Sequence, residues 1–369
     1  MDKAAGSVLV AALLLAAGAT RGEPPPQAPL QSSQDAEQPP RDAEPARLAA
    51  RGLLIAIASA GPRLVAVGDR GIIVSSDDRG ASWRQADHVP SQALLTGVCF
   101  LDSAHGVAVG HDELILTTED AGRNWKRAHY APQAQRPLLD VWCGAGATVI
   151  AVGAYSAYFT SADQGASWRE VKFMPVALPA PRARHGSAAA DAAAPAVAAA
   201  SAEAAGGGFH LNRIVSGADR RLYIAGEAGH LYASDDGGTS WRTLPSPYEG
   251  SLFGVLPLAD QGLLAFGLRG HLYRSADAGT SWQPIETGTV AMLTGAAPLG
   301  GRDIALVGLS GVVLVSHDDG RSFTLLQQAD HAGLSALASV GGEKLAVVGE
   351  GGAKLISLGT EKGARSTAP

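Results

Sequence analysis

The chain has 369 residues, 46% hydrophobic and 17% charged, with a formal net charge of −6. That balance excludes a wholly disordered chain and lacks the basic footprint of a nucleic-acid binder. Two cysteines are too few for a disulfide scaffold, and no Cys/His spacing of a metal site occurs.

Residues 1–19 read as a secretory signal peptide. Lys3 supplies a positive charge, residues 8–17 form an apolar run, and Ala17-Gly18-Ala19 resembles a small-residue cleavage site. The run is shorter than the roughly 20 residues a membrane-spanning helix needs. Residues 20–45 carry Pro24-Pro25-Pro26 and Gln38-Pro39-Pro40 and read as an extended, disordered linker.

From Leu53 the texture changes, and residues 46–360 read as one folded body. An eight-residue motif, Ser/Thr-x-Asp-x-Gly-x-Ser/Asn-Trp/Phe, begins at Ser76, Thr118, Ser161, Ser234, Ser275 and Ser316. Its aromatic residues are Trp83, Trp125, Trp168, Trp241, Trp282 and Phe323, at intervals of 42, 43, 73, 41 and 41 residues. A period near 42 is the length of one four-stranded propeller blade. The long interval holds an Ala-rich, low-complexity insertion at 175–208, expected as a disordered loop between blades three and four. A tail at 361–369 is expected to be disordered.

A second unit precedes each motif: an apolar run, a Gly, three variable residues and another apolar run. Its glycines are Gly68, Gly110, Gly153, Gly226, Gly267, Gly308 and Gly349. Such runs around a turn read as hairpins. Seven hairpins against six motifs predict an all-β, seven-bladed propeller whose last blade is truncated. Residues 46–51 are available to supply its outer strand and remove the exposed edge.

The motif residues read as structural. Asp78, Asp120, Asp163, Asp236, Asp277 and Asp318 can accept backbone N–H groups within a tight turn. An active site is one constellation, whereas a fold staple is needed in every blade. Cys99 and Cys143 fall at equivalent positions of neighbouring repeats. They are either two buried thiols or a disulfide between adjacent blades.

The coupled pattern Val-Gly-x-x-Gly then Ser-x-Asp-x-Gly-x-Ser-Trp resembles the repeats of the photosystem II stability/assembly factor-like proteins. These are a group within the sialidase-like Asp-box (BNR) propellers, and the resemblance covers roughly residues 50–358. It implies a secreted, non-catalytic propeller that assists the assembly or stability of a membrane-protein complex. Photosynthetic members act on the lumenal side with a photosystem II reaction-centre subunit. Others accompany exporters of the resistance-nodulation-division type. The expected setting is the periplasmic or thylakoid-lumen-like side, with the protein acting as a monomer and requiring no cofactor.

The enzyme alternative is a sialidase-like glycoside hydrolase, which needs an arginine triad and paired acids in the central canal. The strands expected to line the canal offer Asp140, Asn212 and Arg213 only. A carbohydrate-binding propeller is the third class, but five of the six tryptophans lie in the motifs. The variable hairpin turns share one mouth and form the candidate partner surface, with Arg70, His111, Tyr155, Glu227 and Arg269 as its leading residues.

Overall fold

A computed structural model describes residues 41–178, 208–217 and 219–358. The expected signal peptide, nearly all of the linker, most of the insertion and the 361–369 tail lie outside these residues. Seven antiparallel sheets follow one another, six of four strands and the last of three. Blade one comprises Leu54–Ala60, Arg63–Gly68, Ile73–Ser76 and Arg84–Gln85. The later blades begin at Leu95–Phe100, Leu138–Cys143, Leu211–Ser216, Leu252–Pro257, Leu293–Gly300 and Leu334–Ser339. Each of these first strands lies against the first strand of the next blade, and the first meets the last, so the ring closes. The chain is a seven-bladed, all-β propeller.

Each second strand carries a continuous apolar run, Leu64-Val65-Ala66-Val67 in blade one, and it is these runs that form the core. They are covered by a sheet on each side and are buried throughout. The core is accordingly a set of clusters, one between each pair of neighbouring blades. The repeated motif helps to join those pairs. In blade one the Ser76 hydroxyl donates to Asp78 Oδ1 (2.7 Å) and accepts the Gly80 N–H (2.7 Å). Asp78 also accepts the Ser82 amide (2.9 Å) and hydroxyl (2.6 Å). The turn is a closed knot of local bonds, repeated with Asp163 and Asp277 on their own serines. Each motif glycine packs on the preceding blade: Gly122 on Val65, Gly165 on Val107, Gly320 on Leu264, and Gly80 on Leu355 across the closure.

These bonds set an acid limit. The Ser82 hydroxyl and amide hold Asp78 at about 2, and Ser167 and Ser281 do the same for Asp163 and Asp277. A carboxyl depressed in the native state stabilises fully above its unfolded pKa, near 4, and that contribution is lost as pH falls through the native value. Stability is therefore expected to decline between pH 4 and pH 2. A Ser82→Ala variant should unfold at higher pH than the wild type when tryptophan fluorescence is followed during acid titration. An unchanged acid midpoint would contradict the structural role of the turn.

Three expectations are corrected. Residues 46–51 do not form the outer strand of blade seven. Ala49–Arg51 is a single 3-10 turn wedged between blades one and seven. A Cβ on Gly352 would lie 2.1 Å from the Ala50 carbonyl, just as one on Gly71 would lie 1.9 Å from that of Ser91. Ala50 and Ser91 both precede a first strand by four residues, so the segment fills the place of an interblade connector.

The insertion does not begin as a free loop. Val176 donates its N–H to Trp241 O (2.8 Å) and accepts the Thr243 N–H (2.9 Å), running parallel to the outer strand of blade four. The cysteines are also not equivalent. The third blade's first strand begins at Leu138, which pairs with Gly153 as Leu95 pairs with Gly110 in blade two. Trp142, not Cys143, therefore occupies the place of Cys99.

Candidate functional site: the hairpin mouth and the canal

Strand direction sorts the loops. The motif turns lie at the end where each first strand finishes. The hairpin turns between second and third strands lie at the opposite end, with the interblade connectors. At the tips, Arg70, Tyr155, Ala228, Arg269 and Ser310 share φ values of 51–58°. A second left-handed residue follows each, giving the paired left-handed turn whose twist suits a hairpin. A non-glycine residue there costs about 1–2 kcal/mol. The geometry holds Arg70, Tyr155 and Arg269 at exposed tips, and His111 is exposed on the same rim.

The structure brings together only two of the five predicted mouth residues. Tyr155, 55% exposed, meets the His210 ring edge-on at 5.1 Å. The His210 amide donates to Glu227 Oε2 (3.2 Å), and its Nδ1 lies 3.9 Å from the same oxygen. Arg70 pairs with its own neighbour Asp69 (3.6 Å). His111 and Arg269 stand on other blades, two and five.

Sequence reading missed the aromatic and imidazole residues around the cluster. Phe209 stacks on His230, with ring centroids 3.8 Å apart, and His230 stacks on Tyr232. One blade further, Tyr248 lies 4.3 Å from His271, whose Nδ1 is 3.1 Å from the Tyr273 hydroxyl. The signal was present in the repeat: Gly229-His230-Leu231-Tyr232 and Gly270-His271-Leu272-Tyr273 occupy the same place in blades four and five.

A second missed group joins blades two and three. Glu113 stands where most blades have the turn glycine, with φ 52°. Its buried carboxylate meets Arg136 at 2.5 Å and His129 Nε2 at 3.3 Å, and Arg136 continues to Glu170 at 2.9 Å. The bond to Glu170, opposed by burial and supported by Glu113, holds the Arg136 guanidinium more firmly protonated than usual.

Among the described residues, the canal strands hold one acid–base pair, Asp140 with Arg213. The third residues of the seven first strands are Ala56, Gly97, Asp140, Arg213, Gly254, Gly295 and Ala336. Small residues let the strands approach; a Cβ on Gly97 would lie 3.0 Å from the Asp140 Cα. Asp140 Oδ2 accepts the Ile214 N–H (2.9 Å), and Oδ1 lies 3.6 Å from Arg213 Nη1. Arg213 Nη2 reaches past blade five to the Thr294 carbonyl of blade six (3.3 Å). Burial pushes the Asp140 carboxyl up, against the pull of Arg213. Asn212 donates to Leu252 O (2.9 Å), tying blade four to blade five. All three predicted canal residues thus bond one blade to another. The motif aspartates remain at the opposite end, each in its own turn.

A cleft of about 250 Å³ opens on that opposite end beside Trp83. Four of its charged residues pair with one another, Arg63 with Asp77 (2.7 Å) and Arg84 with Asp87 (2.6 Å), and Asp78 is bonded within its own turn. Among the described residues, no group of three or more His, Cys, Asp or Glu side chains is placed to hold a metal ion.

No protein-family model matches the chain, and no curated protein matches it in sequence. Solved structures share its architecture. YCF48 bound to a D1 peptide aligns with a TM-score of 0.62 at 14% identity, over 84% of this chain and 94% of that one. YCF48 from Cyanidioschyzon merolae gives 0.60 at 14% identity, over 85% and 97%. The WD40 β-propeller domain of Doa1 gives 0.58 at 11% identity, over 86% and 96%. At these identities the likeness establishes the propeller fold and nothing finer.

Proposed function

We propose that this protein is an exported, non-catalytic propeller that binds a subunit of a membrane-protein complex on its extracytoplasmic face and assists its assembly or stability. The observation that carries the reading is the contrast between the two ends. The motif turns are near-copies closed upon themselves, whereas the hairpin mouth differs in every blade and displays Tyr155, His210, Glu227 and Arg269. Repeat proteins recognise partners through such variable positions.

Two further observations support it. The repeats resemble those of the photosystem II stability/assembly factor-like family, and a structural neighbour is bound to a D1 peptide. A photosystem II-like complex and a resistance-nodulation-division exporter are the two candidate partners, with the chain acting as a monomer. The absence of catalysis is supported by the canal, where Asp140 and Arg213 are engaged with each other and with backbone groups.

The test is capture of membrane proteins from detergent-solubilised membranes by the purified propeller, followed by quantitative mass spectrometry. Tyr155→Ala and Arg269→Ala should each weaken capture of one defined subunit by about tenfold, the scale of an interface hot spot. Capture that is indifferent to both substitutions would remove the mouth from the reading.

A further inference from the structure

The cleft beside Trp83 is built where blades one and two meet. The outer strand of blade one ends at Gln85, and the backbone then crosses to blade two. There the Arg123 carbonyl accepts the Asp87 N–H (2.7 Å), and the Trp125 N–H donates to His88 O (3.0 Å). Trp83, Arg84 and Asp87 of blade one thereby line the cleft together with Arg123 of blade two. Trp83 is half-buried, whereas Trp125 and Trp241 at the same motif position are buried.

Arg123 is the unengaged charge of this cleft. Its place in the motif is taken by Ala81 and Ala166 in blades one and three, and by Thr239 and Thr280 in blades four and five. Blade six has Arg321, which donates to the Asp318 carbonyl (2.7 Å) and pairs with Asp319 (3.4 Å). Arg123 makes no side-chain hydrogen bond or ion pair among the described residues. The Arg63 bond holds the Asp77 carboxyl below its usual range, and the Arg123 charge adds to that effect through space. Arg84 gives one nitrogen to Asp87 Oδ1 (2.6 Å).

The lining carries three arginines and three aspartates. An entering anion meets Asp77, Asp78 and Asp87 as well as the guanidiniums, and a cation meets the reverse. A neutral hydroxyl suits both, because it accepts from a guanidinium and donates to a carboxylate. Adjacent hydroxyls on a sugar ring match the two-pronged edges of both groups. The C–H face of such a ring packs on the apolar face of an indole. The volume, about 250 Å³, falls just below the roughly 300–1,000 Å³ of drug-sized pockets and suits a single ring.

We propose that this cleft binds one residue of a neutral saccharide. The ring lies against Trp83, with Arg123 and Arg84 donating to its hydroxyls and Asp87 accepting from them. The site is at the opposite end of the propeller from the hairpin mouth and does not depend on the partner bound there.

The probes are glucose, galactose, mannose and N-acetylglucosamine, with glucuronate and glucosamine as charged counterparts. Each is titrated into the full chain while the indole N–H resonances are followed by NMR. A Trp83→Phe variant assigns the Trp83 signal, since blade six already carries Phe323 at that place. At least one neutral sugar should shift the Trp83 signal saturably and leave that of buried Trp241 unmoved. Glucuronate and glucosamine should each bind roughly tenfold more weakly than that sugar. Arg123→Ala removes no internal side-chain bond and should weaken the sugar by roughly tenfold, the worth of a charged hydrogen bond. No saturable shift with any of the four neutral sugars would overturn the proposal. Tighter binding of glucuronate would overturn it too, by making the cleft an anion site, as would an Arg123→Ala variant of unchanged affinity. The linear trimer of the sugar that binds should match the monomer, and a much tighter trimer would overturn the single-residue assignment.

Discussion

Replacing Cys99 and Cys143 together by serine should lower the unfolding free energy by about 4 kcal/mol, the chain-entropy expectation for a loop of this size. The bridge joins the first strands of blades two and three, with Cα atoms 5.7 Å apart and a sequence separation of 44. It therefore restrains the unfolded chain across a whole repeat. Both cysteines lie in the second half of their strands, towards the motif end, so partner capture at the mouth should survive. Urea unfolding of the oxidised wild type, the reduced wild type and the double variant checks this. The reduced wild type should approach the variant. Coincident curves for oxidised and reduced protein would show that no bridge contributes. Such bonds persist in oxidising compartments.

Asp140→Ala should cost about 3 kcal/mol, because it leaves a charge and a buried amide without their partner. The variant strips the Ile214 N–H of its acceptor and leaves Arg213 with only the Thr294 carbonyl. Asp140→Asn keeps an acceptor for Ile214 and should lose about 1 kcal/mol, the worth of a weakened charged hydrogen bond. The pH dependence runs opposite to that of the motif aspartates. Burial raises this carboxyl, so the native state holds the proton more tightly than the unfolded state. Its contribution is greatest in acid and weakens as pH climbs above the usual carboxylate range. The Asn variant removes that slope. Thermal unfolding of the three proteins across pH 4–8 provides the measurement. An Ala variant of undiminished stability that lost hydrolysis of a sialoside would reverse the reading and make the canal an active site.

The blade count was legible because it is written as periodicity. Trp83, Trp125 and their successors recur at blade spacing, and Gly349 adds a hairpin that has no motif. The roles of the motif aspartates were legible for the same reason, since each turn repeats one set of local bonds. The closure was not legible in detail. Nothing in residues 46–51 distinguishes an outer strand from a connector until Ala50 is seen against Gly352, in the position Ser91 takes against Gly71.

Contacts between repeats were hidden for a similar reason. Asp140 and Arg213 could be aligned as canal residues, but their bond to each other depends on two neighbouring first strands meeting in register. That register also decides which residue stands level with Cys99. Tyr155 and Glu227 read as variable turn residues, yet what joins them is His210, from a connector that follows the insertion. The repeated Gly-His-Leu-Tyr of blades four and five was in plain view. It carries little signal, because it falls just after the variable tip, inside a strand that otherwise reads as core.

The central claim is that one end of the ring faces a partner. Site-specific photocrosslinking in intact cells tests it most directly, with a photoreactive amino acid placed at Tyr155 or Arg269 on the mouth, or at Arg79 or Thr239 on the motif end. The account predicts crosslinks to a defined membrane-protein subunit from the two mouth positions and none from the opposite end. Equal crosslinking from both ends, or a membrane subunit recovered only from Arg79 and Thr239, would contradict it.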